Sequence, residues 1–221
     1  MDFHQQRPAA RVRPQRNSTF AMIVGFLPVI VFALLANVSQ DLALWAAFAG
    51  AFTVAMRDFA REQLLRILDV GSTLLFGLLA LYTGFIKPDL SIEMTRLIVD
   101  TGFFALALVS ILLRNPLTLQ YAREHAPREL WTTKRFMLTN YGLTAFWMLA
   151  FGLMAATDAF ADVHKTLPRS LDAAAGLVVL LVAVGVTARY PAHLRARTAR
   201  ARLCAGRTGA LGSMPTGRDM R

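Results

Sequence analysis

The chain has 221 residues, of which 55% are hydrophobic and only 17% are charged, and its formal net charge is +10. In soluble proteins roughly a quarter of all residues are charged, so this composition argues against a water-soluble domain and favours a membrane protein. The single cysteine, Cys204, excludes an intrachain disulfide framework and a cysteine-based zinc site. Common catalytic and nucleotide-binding motifs (HExxH, GxSxG, GxxxxGK) are absent from the sequence.

In chain order, a basic arm at residues 1–17 precedes six apolar stretches, each close to the length that a helix needs to cross a hydrocarbon core ~30 Å thick. Helices are expected because they satisfy every backbone amide without water. The sequence therefore predicts an all-α polytopic membrane domain over residues 18–190. Its spans are residues 20–38, 42–56, 67–86, 97–113, 136–157 and 171–188. A basic tail follows at residues 191–221, and its Gly-rich end is predicted to be disordered.

The basic residues predict the orientation of these spans. Twenty of the 24 Lys and Arg residues fall before span 1, after span 6 or in every second loop, whereas the acidic residues divide evenly between the two sides. Since basic loops stay in the cytoplasm, both termini are predicted to be cytoplasmic. The net charge is then explained by topology and by contact with anionic inner-leaflet lipid. Nucleic-acid binding is not predicted.

Short links between spans predict three antiparallel hairpins. Spans 1 and 2 are separated by only residues 39–41, and each even-numbered span ends at an arginine-led loop. The tetrapeptides at residues 59–62 and 121–124 (FARE and YARE) are similar. An old internal repeat would explain these features, as would the general enrichment of Arg and aromatic residues at membrane boundaries.

Few ionisable groups enter the predicted spans. Asp69 lies three residues after Arg66 on the same helix face, which predicts an ion pair. Asp100 and Asp172 open spans 4 and 6, where a carboxylate favours the helix N-terminus. Asn140 and Tyr141 lie in span 5. The candidate intramembrane polar residues are thus Asp69, Asp100, Asn140 and Tyr141.

The loop between spans 4 and 5 is the most distinctive polar segment. We predict that Asn115-Pro116 ends the preceding helix, that Leu117 and Tyr121 lie on the membrane surface, and that Trp131 is an interfacial anchor. The loop is a candidate docking site for partners, or it only positions its helices. The candidate docking residues are Arg114, Pro116, Tyr121, Arg123, Glu124, Arg128 and Trp131.

Acidic residues between spans 5 and 6 raise the question of a metal ion. Asp158, Asp162 and His164 lie close together in sequence, but a solvated loop explains them equally well. We therefore predict no metal site and no cofactor.

Three motifs resemble a known family. The segments 27–32 (LPVIVF), 67–69 (ILD) and 114–124 (RNPLTLQYARE) resemble the intracellular septation protein A group and its uncharacterised relatives among small bacterial inner-membrane proteins. The resemblance covers about residues 20–155. It implies a multipass protein of the bacterial inner membrane that supports cell-envelope synthesis or division through contacts with other membrane proteins, without catalytic residues. The tail from Arg189 onward and Asn115 depart from the pattern.

Two functions remain open at this point. The first is a non-enzymatic membrane protein whose cytoplasmic loops recruit membrane-protein partners. The alternative is a small-solute transporter or exporter with a site between hairpins near Asn140 and Tyr141. An intramembrane enzyme is not predicted, because the sequence has neither a nucleophile–base pair nor a metal cluster.

Overall fold

The computed structural model describes residues 24–62, 66–126, 128–163 and 174–189, and this part of the chain is helical without strands. A π-helical turn, Tyr82–Ile86, follows the helix that ends at Leu81, and a 3₁₀ turn, Arg128–Leu130, lies between the helices Leu117–His125 and Lys134–Val163. The α-helices are α1 (Leu27–Leu35), α2 (Gln40–Glu62), α3 (Ile67–Leu81), α4 (Ile92–Leu112), α5 (Leu117–His125), α6 (Lys134–Val163) and α7 (Ala174–Arg189).

Within the described ranges, four helices are long and apolar enough to cross a membrane, namely Gln40–Ala60, Ile67–Ile86, Ile92–Leu112 and Lys134–Val163. The third predicted span agrees with the structure at both ends. The described parts of the first and sixth predicted spans hold α1, of nine residues, and Ala174–Arg189, which has fewer than 18 residues, while the starts of both predicted spans lie outside the described residues. An all-helical protein with four such helices is therefore established, while six spans remain a prediction.

Three spans are longer than the sequence predicted. Helix α2 starts at Gln40 rather than at residue 42, α6 extends to Val163, and α4 starts at Ile92 rather than at residue 97. The early start of α4 has a local cause, because the Ser91 side chain accepts a hydrogen bond from the Met94 amide at 3.2 Å. Such a cap satisfies an amide that the helix itself leaves unpaired.

Helix pairing is not confined to consecutive hairpins. Helix α2 packs against both α1 and α3, and the most extensive contact in the described chain joins α4 to α6 across the α5 connection. Glycines allow the close crossing of α3 and α4: a Cβ on Gly71 would lie 2.5 Å from Leu106, and one on Gly102 would lie 2.7 Å from Leu75. Each helix thus receives a leucine of the other where it lacks a side chain.

An aromatic core joins four segments of the bundle. The Phe26 ring stacks on Trp147 with centroids 3.9 Å apart, and Phe103 stacks on Phe151 at 5.1 Å. Phe76 connects α3 to this group through Phe103 at 5.8 Å. Stacked and tilted pairs contribute about 0.5–1.5 kcal/mol each beyond the burial of their area, so the rings fix the middle of the bundle.

The outward faces of the long helices are apolar. Leu78 on α3, Leu112 on α4 and Leu149 on α6 keep 65%, 70% and 68% of their surface exposed. A monomeric soluble protein rarely exposes apolar patches of this extent. Lipid contact explains these faces, in agreement with the length and composition of the helices.

Candidate functional site

A cluster of charged side chains forms where α2 and α3 meet, at the bundle end that also holds α5 and the start of α6, here called the α5 end. Asp58 lies in the last turns of α2, Arg66 directly precedes α3, and Asp69 lies in its first turn. All three residues are buried, with exposed fractions of 6%, 7% and 2%. The predicted pairing of Arg66 with Asp69 is present, with 3.5 Å between guanidinium nitrogen and carboxylate oxygen.

Arg66 connects this cluster to α5. Its Nε and one terminal nitrogen each donate to a different oxygen of Glu124 at 2.7 Å, which makes a bidentate pair, and its other terminal nitrogen donates to Asp58. Burial disfavours the charge of Arg66, but the hydrogen bond to Glu124 and the surrounding negative charges raise its pKa above the ordinary value. The guanidinium therefore stays charged and fixes α5 by a planar, directional contact. We call this contact the Arg66 latch.

Tyr121 completes the latch. The Arg66 guanidinium carbon lies 4.5 Å from the centroid of the Tyr121 ring, and the phenol donates a hydrogen bond to Asp69 at 3.0 Å. Burial, followed by the negative charge of Asp69, raises the pKa of Tyr121 well above its ordinary value. The phenol is therefore a neutral donor at neutral pH.

Gln120 aligns α5 with α3, and Gly25 leaves room for Tyr121. Gln120 accepts a hydrogen bond from the backbone amide of Ile67 at 2.9 Å, which satisfies the open N-terminus of α3. Gly25 lies against the Tyr121 ring, where a Cβ would be 2.8 Å from the ring carbon that carries the hydroxyl. A larger residue at position 25 would displace Tyr121.

The N-terminus of α5 is fixed by side chains of α4 and α6. The Leu117 amide donates to the Ser110 hydroxyl at 3.3 Å, and the Thr118 amide donates to the Thr144 hydroxyl at 3.3 Å. The Thr118 hydroxyl donates to the Asn140 carbonyl at 2.8 Å. Pro116 supplies no capping side chain, so neighbouring helices satisfy amides that would otherwise remain unpaired.

The turn before α5 agrees with the prediction that the helix ends at Asn115-Pro116. The Asn115 amide donates to the Ser110 carbonyl and the Arg114 amide to the Ile111 carbonyl, both at 3.0 Å. This pattern is a Schellman motif. Arg114 takes the left-handed position, at φ 55°, that glycine usually occupies.

The prediction that Leu117 and Tyr121 lie on the membrane surface is wrong. Each has only 2% of its surface exposed, and both belong to the hydrophobic core. Among the seven candidate docking residues, Pro116 and Tyr121 are buried and Glu124 binds Arg66, whereas Arg114 and Arg128 are exposed and Arg123 and Trp131 are half-buried. The structure therefore divides the predicted docking loop into an inner half that binds its own bundle and an outer half.

The outer half is organised around Trp131. The guanidinium carbons of Arg123 and Arg128 lie 5.8 Å and 5.9 Å from the Trp131 ring, and the indole donates to the Ala126 carbonyl at 3.0 Å. We call the segment 114–135 the platform. It carries five basic residues and two acidic ones, Glu124 and Glu129, of which Glu124 is engaged by Arg66.

The other candidate intramembrane residues do not join this site in one cluster. Asn140 is buried and its side-chain amide donates to the Phe136 carbonyl at 2.8 Å, while Tyr141 is half-buried. Asp100 does not cap α4 as predicted, because the helix begins eight residues before it, and it is 5% exposed. Asp172 lies outside the described residues.

A second buried polar group occupies the far end of the bundle, opposite to α5. Arg96 donates to the Asn37 side chain, and Gln40 donates to Thr95 at 2.9 Å. Arg96 lies seven residues before Phe103 on α4, and Asp158 lies seven residues after Phe151 on antiparallel α6. Phe103 and Phe151 stack on each other, and seven residues correspond to about two turns of a helix. Arg96 and Asp158 therefore lie at the same level of the bundle and on the same helix faces as the stacked pair.

The acidic residues considered for a metal ion lie in α6 and not in a loop. Asp158 and Asp162 occupy its last two turns, and Asp158 is buried. His164 is outside the described residues. Within the described ranges, no group of three metal-ligating side chains is found.

Sequence reasoning missed Asp58, Gln120 and Gly25 as parts of the site. Asp58 stands beside Arg57 and follows an apolar stretch, which is ordinary at a membrane boundary. Asp58 accepts from Arg66, which is itself held by Glu124 of α5, 58 residues after Arg66, and no local pattern indicates that contact.

Comparison of the chain with protein-family models, with curated proteins and with solved structures finds no match.

Proposed function

We propose that the protein is a non-enzymatic integral membrane protein that presents the platform as a rigid docking surface at the cytoplasmic face of the bacterial inner membrane, with both termini cytoplasmic. The bidentate pair between Arg66 and Glu124 is the observation that supports this proposal most strongly. Burying and ordering charged groups in a low-dielectric site costs free energy. A buried ion pair to a third helix is therefore not expected in a loop that only connects two spans.

The platform is suited to docking because its two halves have different tasks. The inner half packs into the bundle and removes the conformational freedom that a flexible loop would lose on binding. The outer half presents Arg114, Arg123, Arg128 and Trp131, and arginine and tryptophan are enriched among residues that dominate binding energy. Partners in this proposal are other membrane proteins, and support of cell-envelope synthesis or division follows from the sequence resemblance alone.

In vivo photocrosslinking tests the docking proposal. A photoreactive amino acid at Thr132, an exposed position of the platform, is expected to give discrete crosslinked products with membrane proteins. Arg66→Ala is expected to abolish them, because α5 loses its anchor. Arg57→Ala is the matched control, since Arg57 is 37% exposed and pairs only with the adjacent Asp58 among the described contacts. Products that persist unchanged in Arg66→Ala, or no discrete product at all, would contradict the proposal.

A second candidate, a small-solute transporter or exporter, is favoured by the buried polar group at the far end. Asp100 and Arg96 lie inside a helix long enough to cross a membrane, and ionisable groups there often line transport pathways. This location differs from the predicted one near Asn140 and Tyr141. Saturable solute flux into proteoliposomes that is lost in Asp100→Asn, together with unchanged flux in Asn140→Leu, would favour transport through the far end.

A further inference from the structure

The outer half of the platform contains two arginines held over one indole ring. Because the guanidinium carbons of Arg123 and Arg128 lie 5.8 Å and 5.9 Å from the same ring, they are no more than about 12 Å apart. The hydrogen bond from the indole to the Ala126 carbonyl fixes the orientation of the ring. Two guanidinium groups thus lie near one oriented aromatic ring.

Among the described side chains, no carboxylate forms an ion pair with Arg123 or Arg128. Glu124 lies next to Arg123 in sequence, but both its oxygens accept from Arg66. Glu129 is exposed, and it is the remaining acidic residue of the platform. Within the described chain, the Arg123 Nε atom is buried and has no hydrogen-bond partner.

Apolar surface is exposed in the platform and at the ends of the helices that flank it. Leu112 and Leu113 at the end of α4 are 70% and 65% exposed, Leu130 is 46% exposed, and Leu138 in the second turn of α6 is 72% exposed. These side chains border the Trp131 turn on both sides in sequence. A tryptophan flanked by arginines at the end of an apolar helix is typical of the headgroup region of a bilayer.

We propose that Arg123, Arg128 and Trp131 form a binding site for the phosphodiester headgroup of an anionic phospholipid of the adjoining leaflet. This inference rests on the proposed function, in that it names one partner of the platform. Guanidinium groups match phosphate oxygens in geometry and charge, and the exposed leucines beside the site accommodate the acyl chains.

Lipid retention by the full-length protein tests the site. The protein is reconstituted in nanodiscs with equal amounts of phosphatidylglycerol and phosphatidylcholine, released gently, and analysed by native mass spectrometry for the lipids that remain bound. Wild type is expected to retain phosphatidylglycerol selectively. The double variant Arg123→Gln, Arg128→Gln is expected to lose this selectivity by roughly tenfold, since each basic residue near a membrane contributes substantially to anionic-lipid binding.

The matched control is Lys134→Gln, Arg135→Gln, which removes the same charge from two exposed residues of the same segment. An equal loss in both double variants would reduce the site to general electrostatic attraction and overturn the proposal. Unchanged selectivity in the arginine variant would do the same. If the double variant fails to fold, as judged by circular dichroism and size exclusion, Arg128→Gln alone is used, because Arg128 is exposed and its loss leaves the latch intact.

The outcome also separates this inference from the docking proposal. Loss of lipid selectivity in the arginine variant, with protein crosslinks from Thr132 unchanged, supports the lipid site and leaves protein docking in place. Selective lipid retention without any protein crosslink would refute the docking of membrane proteins and would leave the lipid site supported. Protein crosslinks that vanish in Arg128→Gln, with no lipid selectivity in wild type, would reassign the site to an acidic segment of a protein and overturn the lipid proposal.

Discussion

Replacement of Arg66 by alanine is the perturbation with the largest expected effect on this protein. The substitution removes an ion-pair partner from each of Asp58, Asp69 and Glu124 at once, and the first two of these carboxylates remain buried. Breaking a buried charge pair on one side destabilises a protein by about 3–5 kcal/mol. We expect Arg66→Ala to lower the free energy of unfolding by this amount, and Arg66→Lys to lower it by about 1.5–3 kcal/mol because an ammonium cannot make the bidentate contact.

The effect should be partly local. If the pair between Arg66 and Glu124 holds α5 to the bundle with about 1.5–3 kcal/mol, its loss should accelerate hydrogen exchange of the α5 amides by about ten- to a hundredfold, since a factor of ten corresponds to about 1.4 kcal/mol. Amides in the middle of α4 should respond less. Exchange is measured by mass spectrometry in detergent micelles, and global stability by thermal or SDS unfolding of the same samples.

Arg57→Ala serves as the control for charge removal. Arg57 also pairs with Asp58, at 2.9 Å, but it is 37% exposed, and an exposed pair contributes about 0–1 kcal/mol. Equal destabilisation by Arg57→Ala and Arg66→Ala, or unaltered exchange of α5 in Arg66→Ala, would refute the conclusion that Arg66 anchors α5.

Four further substitutions test the packing around the latch and the bundle. Gly25→Ala should lower the free energy of unfolding by about 1–3 kcal/mol, because the added Cβ displaces the Tyr121 ring. In the double variant Gly25→Ala, Tyr121→Phe, thermal unfolding should show a loss of stability smaller than the sum of the losses in the two single variants. If the losses add fully, the two residues are not in contact. Arg114→Gly should raise the free energy of unfolding by about 0.5–1 kcal/mol, because Arg114 has φ 55°; a lower melting temperature would contradict the Schellman turn. Trp147→Phe should lower the free energy of unfolding by about 1–3 kcal/mol, because the 2.9 Å hydrogen bond from Trp147 to Thr187 is lost. An unchanged free energy of unfolding in chemical denaturation would refute the link between α6 and α7.

Some features of the fold could be predicted because they are local. Hydrophobic length predicts the four long helices, the i, i+3 spacing predicts the pairing of Arg66 with Asp69, and Asn115-Pro116 predicts the end of α4. Helix boundaries were predicted less well where polar residues belong to helices, as at the start of α4, since hydropathy does not register the Ser91 cap.

The latch could not be predicted because its parts are distant in sequence. An amphipathic segment such as α5 has the same pattern whether its apolar face packs on lipid or on protein. The choice depends on Gly25, which leaves room for Tyr121, and on Ser110 and Thr144, which satisfy the amides at the start of α5. None of these residues is unusual in its own span, so only the assembled helices reveal their common task.

Cysteine labelling across the membrane tests the central claim, that the chain crosses the bilayer with the platform on the cytoplasmic side. In a Cys204→Ser background, single cysteines replace Thr132 on the platform and Asp89 in the turn before α4, both exposed positions. A membrane-impermeant maleimide should label position 89 in spheroplasts, where the periplasmic face is accessible, and position 132 only in inverted vesicles. Labelling of both positions from the same side, or of position 132 in intact spheroplasts, would contradict the account.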